Sequence, residues 1–343
     1  MKIVLHIGMP KAGSTALQEG LRSLRDPLAE AGVLYPKSPV IRNKQALLVS
    51  GLTSHGRLPR HLRHKYNDDS EKIEQDAQTW LQQLRERITN SSLDTVVLSD
   101  ESLFRINSES ALTTLAERLR PLADTIDVVV YVRQPSDYYL SMAQQTLKAS
   151  HEIRSVEPIN YRATLEGYAK HVADTLHVLP YDRRNWPNGD ILRHFFEKFL
   201  PNVDVSLDDV PKQPNTSLSA EAMSVVAEYR RLFWSDANQR FTPDTGRLIR
   251  ALNAADAEVD GSRRPRLHES VRQAVDNAST ELLWLRDMHG VVFDELGDYE
   301  GVGESVELPP RPERVEDICQ VDTERKTALV YRALRELAEP PAK

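Results

Sequence analysis

Residues 6–18 read HIGMPKAGSTALQ, with Gly8 and Gly13 separated by four residues and Ser14 and Thr15 directly behind the second glycine. Before them comes the apolar run KIVLHI (2–7); after them Leu17, Leu21, Leu24 and Leu28 fall on one helical face. A strand, a glycine-rich turn and a helix in that order make an anion site, because backbone amides and the helix N-terminus point at the bound group. In the nucleotide-kinase form of the loop, G-x-x-x-x-G-K-[ST], a lysine follows the second glycine and faces the outer phosphates. Here serine follows it, and the one basic side chain, Lys11, sits inside the loop two residues ahead of Gly13. The shift removes support for a γ-phosphate and sets a cation over whatever leaves from the 5′ side of a nucleotide.

Three further β-rich runs follow, DTVVLS (94–99), DVVVYV (127–132) and TLHVLP (175–180), with helical patterns between them. Ile73, Ala77, Leu81, Leu84 and Ile88 form one such face. Near-continuous apolar strands alternating with helices predict an α/β fold, a parallel sheet flanked by helices. After about residue 205 the strand signals stop. Three helical patterns succeed them, SAEAMSVVAEYRRLFW, HESVRQAVDNASTELLWLRD and TERKTALVYRALRELAE, the last with Leu329, Ala333 and Leu337 in line. The expected division is an α/β core over 1–210 and a helical C-terminal region over 211–343, with ELPPRPERVED (307–317) as an extended strap.

The chain has 343 residues, a formal charge of −7 and 40% hydrophobic residues, which suits an enzyme-sized globular protein and argues against a nucleic-acid partner. Its one cysteine, Cys319, excludes an internal disulfide framework and a cysteine-rich zinc site, and fits a reducing compartment. No apolar stretch is long enough for a membrane helix, and MKIVLHIG has no cleavage site behind it, so the expected location is cytoplasmic. No metal is assigned. Oligomeric state is not readable.

A second anion site is written into VVVYVRQPSDYYLSMAQQ: a strand running into Arg133, Pro135 suited to a first helical turn, and Ser141 two turns on. Arg133 holding a surface carboxylate and Ser141 lying mid-helix is the plainer reading of this motif alone. Together, KAGST and Arg-x7-Ser resemble the 5′-phosphosulfate loop and the 3′-phosphate motif of the sulfotransferases that use 3′-phosphoadenosine 5′-phosphosulfate (PAPS). LSDESL, VLPYDR, GDILRHFFEKF and NTSLSAEAM extend that resemblance, toward bacterial members, to about residue 225. It implies a P-loop fold and PAPS as sulfate donor with 3′-phosphoadenosine 5′-phosphate (PAP) as product. It also implies a donor site of Lys11, Ala12, Gly13, Ser14, Thr15, Arg133 and Ser141, and an acceptor hydroxyl, less readily an amine, on a small molecule or carbohydrate.

Lys11 is then the residue that stabilises the leaving 5′-phosphate, and Glu101, just past the second long strand, is the first choice of base. SDESLF equally starts a helix with Ser99 or Asp100 as its cap and Glu101 in its first turn. His6 and His55 stand as alternative bases. HGRLPRHLRHKY (55–66) concentrates three arginines, a lysine and three histidines; it reads either as a solvated basic face or as an acceptor loop for an anionic substrate. Two rivals remain, a P-loop nucleotide kinase using VVLSD and Asp100 as its acidic strand end, and a catalytically inactive nucleotide-binding protein.

Overall fold

KIVLH forms the central strand β1 (Lys2–His6), in which every residue after Lys2 is buried, as a strand covered on both faces requires. In this computed structural model the chain continues through α1 (Ser14–Ser23), α2 (Arg25–Glu30), the two-residue β2 (Val33–Leu34), α3 (Arg60–Lys65), α4 (Ser70–Thr89) and β3 (Thr95–Ser99). Next come α5 (Glu109–Leu119), β4 (Thr125–Val132), α6 (Pro135–Leu147), α7 (Arg162–His171), β5 (Thr175–Pro180) and α8 (Ile191–Phe199). The remainder is helical: α9 (Ala220–Phe233), α10 (Pro243–Asp256), α11 (Glu269–Asn277), α12 (Glu281–His289) and α13 (Thr323–Ala338). Described residues are 1–208, 210, 217–261, 264–304 and 308–338, so the first residues of NTSLSAEAM and the start of the 307–317 strap lie outside them.

Two compact units interleave along the chain. The first comprises Met1–Arg133, Asn160–Gln213 and Trp284–Gly297; the second comprises Gln134–Ile159, Pro214–Leu283 and Asp298–Lys343.

The first unit holds the sheet, all parallel, in the order β2-β3-β1-β4-β5. The α/β class is therefore as expected. β2 and β3 lie on one side of β1 and β4 and β5 on the other, so the chain reverses direction of travel around β1. The crevice at the carboxyl end of that strand is the place where such sheets bind ligands. Register sets the last residues of two neighbouring strands side by side there, His6 against Ser99. Helix α1 approaches α8 closely: a Cβ on Gly20 would lie 2.7 Å from a methyl of Leu192. Helix α4 starts where the Asp69 carboxylate accepts the Lys72 amide at 2.9 Å. Its buried stripe is Ile73, Ala77, Trp80, Leu84 and Ile88. Trp80, not Leu81, faces inward, because its indole N–H also reaches the Lys37 carbonyl oxygen at 2.9 Å.

The second unit packs α9, α10 and α13 together and α11 against α6. The expected helix over 268–287 is broken into α11 and α12, and α10 is an additional helix, its Ala251, Leu252 and Ala255 buried. Leu329 and Ala333 are buried on α13, but Leu337 is exposed; a strict four-residue step drifts off a 3.6-residue helix. Buried Arg325 spans Glu221 at 2.8 Å and Asp256 at 2.5 Å. Cys319 is enclosed, and burial pushes its thiol up to about 12, which makes it a packing residue. No helix among the described residues is long and apolar enough to cross a membrane.

Candidate active site

The loop after β1 is fastened at both ends. The Ile7 amide continues the ladder to the Val129 carbonyl oxygen at 3.0 Å, and the Ala12 amide turns back to that of Met9 at 3.2 Å. Three residues take left-handed backbone, Gly8 at φ 41°, Lys11 at 67° and Gly13 at 79°. For the glycines the reason is also contact. A Cβ on Gly8 would meet Ser14 Oγ at 2.6 Å and the His6 ring at 2.9 Å, and one on Gly13 would meet the Tyr181 ring at 2.6 Å. Lys11 has no such freedom, and its conformation is held from outside: the Arg133 guanidinium donates to the Lys11 carbonyl oxygen at 2.9 Å while lying 5.5 Å from the centre of the Tyr181 ring.

Helix α1 begins at Ser14, so its first amides have no acceptor within the helix. Ser14 is buried and its hydroxyl oxygen has no hydrogen-bond partner; Nε2 of the wholly buried His6 has none either, and both lie beneath Gly8. Ala12 is buried, Lys11 and Gly13 are half-buried, and Thr15 is exposed on the first turn.

Beside the loop, at the ends of β1 and β3, polar side chains form a connected but open ring of hydrogen bonds, with His6 at one end and Lys44 at the other. His6 Nδ1 and Ser99 Oγ share a hydrogen bond of 2.8 Å. Gln18, one turn along α1 from Ser14, donates both to Ser99 Oγ at 3.1 Å and to Glu101 at 3.2 Å. Lys44, itself buried, donates to the other oxygen of Glu101 at 2.7 Å. The strap carrying Lys44 is pinned from several sides: Arg25 reaches the carbonyl oxygens of Tyr35, Pro36 and Arg42, and the Tyr35 hydroxyl reaches that of Asn43. Gln45 bonds both Pro36 and the Ser99 amide. Glu101 sits at the head of a single-turn helix whose carbonyl oxygens at Leu103 and Phe104 accept from Tyr168 and Thr164 of α7.

Burial and charge act against each other in this ring. For Glu101, burial alone would raise the carboxyl, but Lys44 and the hydrogen bonds from Lys44 and Gln18 hold it below the usual range. Burial raises Asp100 despite Lys44. Burial would lower Lys44, yet the two carboxylates keep it raised. His6 is brought down to about 4 by burial against the pull of Glu101, and His61 to about 4 by burial and then by Lys44. At neutral pH the ring therefore holds an ammonium–carboxylate pair and two uncharged imidazoles.

Asp100 is fully buried and caps the turn through the Ser102 amide at 2.7 Å, so the capping reading of SDESLF holds for Asp100 while Glu101 faces the ring. His55 stands apart, 3.2 Å from Asp68. Arg133 is the residue after β4 and the last of the first unit's opening segment; Ser141 is half-buried on α6 of the second unit. Pro135 opens α6, and the amide of Ser136 there already has an anion, the Asp276 carboxylate at 2.9 Å, which also accepts from Gln134 at 2.8 Å. Among the described residues no three His, Cys, Asp or Glu side chains gather as metal ligands.

No protein-family model, curated protein or solved structure matches this chain. The sequence reading missed Gln18, Lys44 and Gln45, took Ser99 only as a candidate helix cap, and took His61 only as one histidine of the 55–66 basic segment. Gln18 alone left a signal, four residues after Ser14 on the same helical face; Lys44 and Gln45 arrive on a strap without periodicity.

Proposed function

We propose that the protein is a PAPS-dependent sulfotransferase with a P-loop-type core, acting on a hydroxyl acceptor. One observation carries this reading: an anion cradle at the α1 N-terminus, with two buried and unpartnered polar atoms under Gly8, that has its lysine inside the loop and serine after the second glycine. Ser14 Oγ, the amides of Gly13 to Thr15 and the Lys11 ammonium suit a 5′-phosphosulfate; for the 3′-phosphate the first unit offers Arg133, and the sequence motif adds Ser141.

When bound, PAPS supplies a sulfuryl group on a good leaving phosphate. The acceptor oxygen forms its bond to sulfur as the bond from sulfur to the 5′-phosphate oxygen breaks. The electron pair of that bond stays with the phosphate, where Lys11 neutralises it. The acceptor proton passes to the ring. Glu101 is ionised and so able to accept it, and Lys44 and Gln18 fix both of its oxygens. His6 and His61 are uncharged and are the alternative acceptors.

The kinase reading is weaker here, since the acid it needs, Asp100, is wholly enclosed and already caps a backbone amide. Calorimetry with PAP, ADP and ATP tests the choice. PAP binds tightest and without magnesium if the reading is right; magnesium-dependent ATP binding as tight as PAP overturns it. PAP binding with no turnover on any acceptor would leave an inactive nucleotide-binding protein.

A further inference from the structure

Residues 55–65 hold three arginines, one lysine and three histidines and no acidic residue, in a chain of formal charge −7. Two apolar side chains root the segment, Leu58 and Leu62, both buried. That leaves the remaining side chains of α3 directed elsewhere; His61 among them is half-buried, and the charges of Lys44 and Glu101 both act on its ring. Lys65 donates to the Pro39 carbonyl oxygen, which ties α3 to the strap delivering Lys44. The basic segment therefore borders the ring that contains Glu101.

Asp68 takes both Arg63, at 3.4 Å, and His55, at 3.2 Å. The next carboxylates are engaged elsewhere: Asp69 caps α4, and Asp76 binds Tyr66 and Lys72. Arg57 and Arg60 are exposed. Three nitrogens of the segment, His55 Nδ1, His61 Nε2 and Arg63 Nε, are buried with no hydrogen-bond partner. A solvated basic face would hand such atoms to water; the enclosed Arg63 Nε–H calls for an acceptor oxygen, and the enclosed imidazole nitrogens for a hydrogen-bond partner, brought by something else.

Resting on the sulfotransferase reading of the neighbouring site, we infer that the 55–65 segment and Lys44 form the acceptor subsite, and that they select a hydroxyl compound carrying its own oxyanion, a carboxylate, sulfate or phosphate. The oxyanion docks on α3, which carries Arg60, His61, Arg63 and Lys65, and the hydroxyl is thereby set toward Glu101. Charge-assisted hydrogen bonds give such a group both orientation and affinity, and the local cation excess draws it into a protein that is acidic overall. A neutral acceptor would leave the same nitrogens unpaired.

The full chain, saturated with PAP, is titrated by ligand-detected NMR with three matched pairs: glucuronate and glucose, galactose 6-sulfate and galactose, glycerol 3-phosphate and glycerol. At least one charged compound binds tenfold or more tightly than its neutral partner, the preference weakens as salt is raised, and the pair that responds identifies the oxyanion. The double substitution Arg57→Glu, Arg60→Glu, on exposed side chains, reduces the preference to less than threefold while PAP affinity changes by less than threefold. Parity within all three pairs, or a preference that survives charge reversal, overturns the inference. If the wild-type chain fails to bind PAP, the donor reading falls instead, and the same titrations without nucleotide still decide the oxyanion preference.

Discussion

Replacing Lys44 by methionine keeps most of the buried volume and removes the cation that Glu101 and Asp100 face. Lys44 has 8% of its side chain exposed and Glu101 32%, so the pair lies between a surface bridge, worth about 0–1 kcal/mol, and a fully buried one, whose breakage costs about 3–5 kcal/mol. Gln18 remains bonded to Glu101 in the variant, and we expect a loss of about 2 kcal/mol at pH 7. The sign with pH follows from the directions of the shifts. In the wild type the Glu101 carboxyl is held low by Lys44 against burial, so it contributes stability above the unfolded carboxyl range, and that contribution disappears as pH falls through its folded value. In Lys44→Met burial is opposed only by hydrogen bonds, from Gln18 and a backbone amide on Glu101 and from Ser102 on Asp100, and no longer by a cation. Both carboxyls are then raised, and their penalty is present at neutral pH and absent once they are protonated. His61, pushed to about 4 partly by Lys44, relaxes upward in the variant, which lessens acid destabilisation and works in the same direction. Urea unfolding followed by fluorescence, with Trp80 and Trp186 both in the first unit, reads the difference. It should shrink from about 2 kcal/mol at pH 7 to less than about 0.5 kcal/mol near pH 3.5. A variant as stable as wild type at pH 7, or one whose loss is the same at both pH values, refutes the account of the ring.

Two more outcomes are expected. Lys11→Ala leaves the fold intact and lowers sulfuryl transfer by on the order of 10²–10³, with a smaller fall in PAP affinity; near-normal turnover in a PAP-release assay would reduce Lys11 to a loop residue. His6 is held at about 4 when folded against 6.5 in its unperturbed state, so the unfolded chain gains a proton first and stability is lost as pH falls from about 6.5 to about 4, by about 3 kcal/mol in total. His6→Asn, whose amide can still meet Ser99, should flatten that slope in urea midpoints measured across the window, and an unchanged slope would show that another group carries it.

What the sequence made legible was whatever depends on neighbours along the chain. KIVLH and DVVVYV read as strands because they are apolar on both faces, and the loop read as an anion site because its glycines, lysine and hydroxyls are contiguous. Helix α10 escaped, since PDTGRLIRALNAAD opens with turn-forming residues and its helicity rests on packing Ala251, Leu252 and Ala255. The break after α11 escaped for a related reason: Asp276 is held in place by Gln134 and the Ser136 amide, more than a hundred positions away. The ring is the extreme case. Lys44 meets Glu101 across 57 positions and Gln18 meets it across 83, joined by a strap whose course is set by Arg25 and by no period of its own.

Stability alone gives no reason for the groups gathered at the end of β1. An apolar residue in place of His6 and alanine in place of Ser14 would remove two buried, unpartnered polar atoms, each of which costs the fold about 1–3 kcal/mol. Lys11 adds backbone strain in the left-handed region, about 1–2 kcal/mol for a residue with a Cβ, sustained by a hydrogen bond from Arg133. These penalties lie within one loop turn of each other and all concern groups able to hold or neutralise an anion. A ligand that brought oxygens to Ser14, His6 and Lys11 would satisfy them together, and because Arg133 grips the Lys11 carbonyl, any anion that recruits Arg133 would also be felt in the conformation of the loop. The loop and Arg133 are on this account one binding device, prepared in advance of its ligand and destabilising to the fold in its absence.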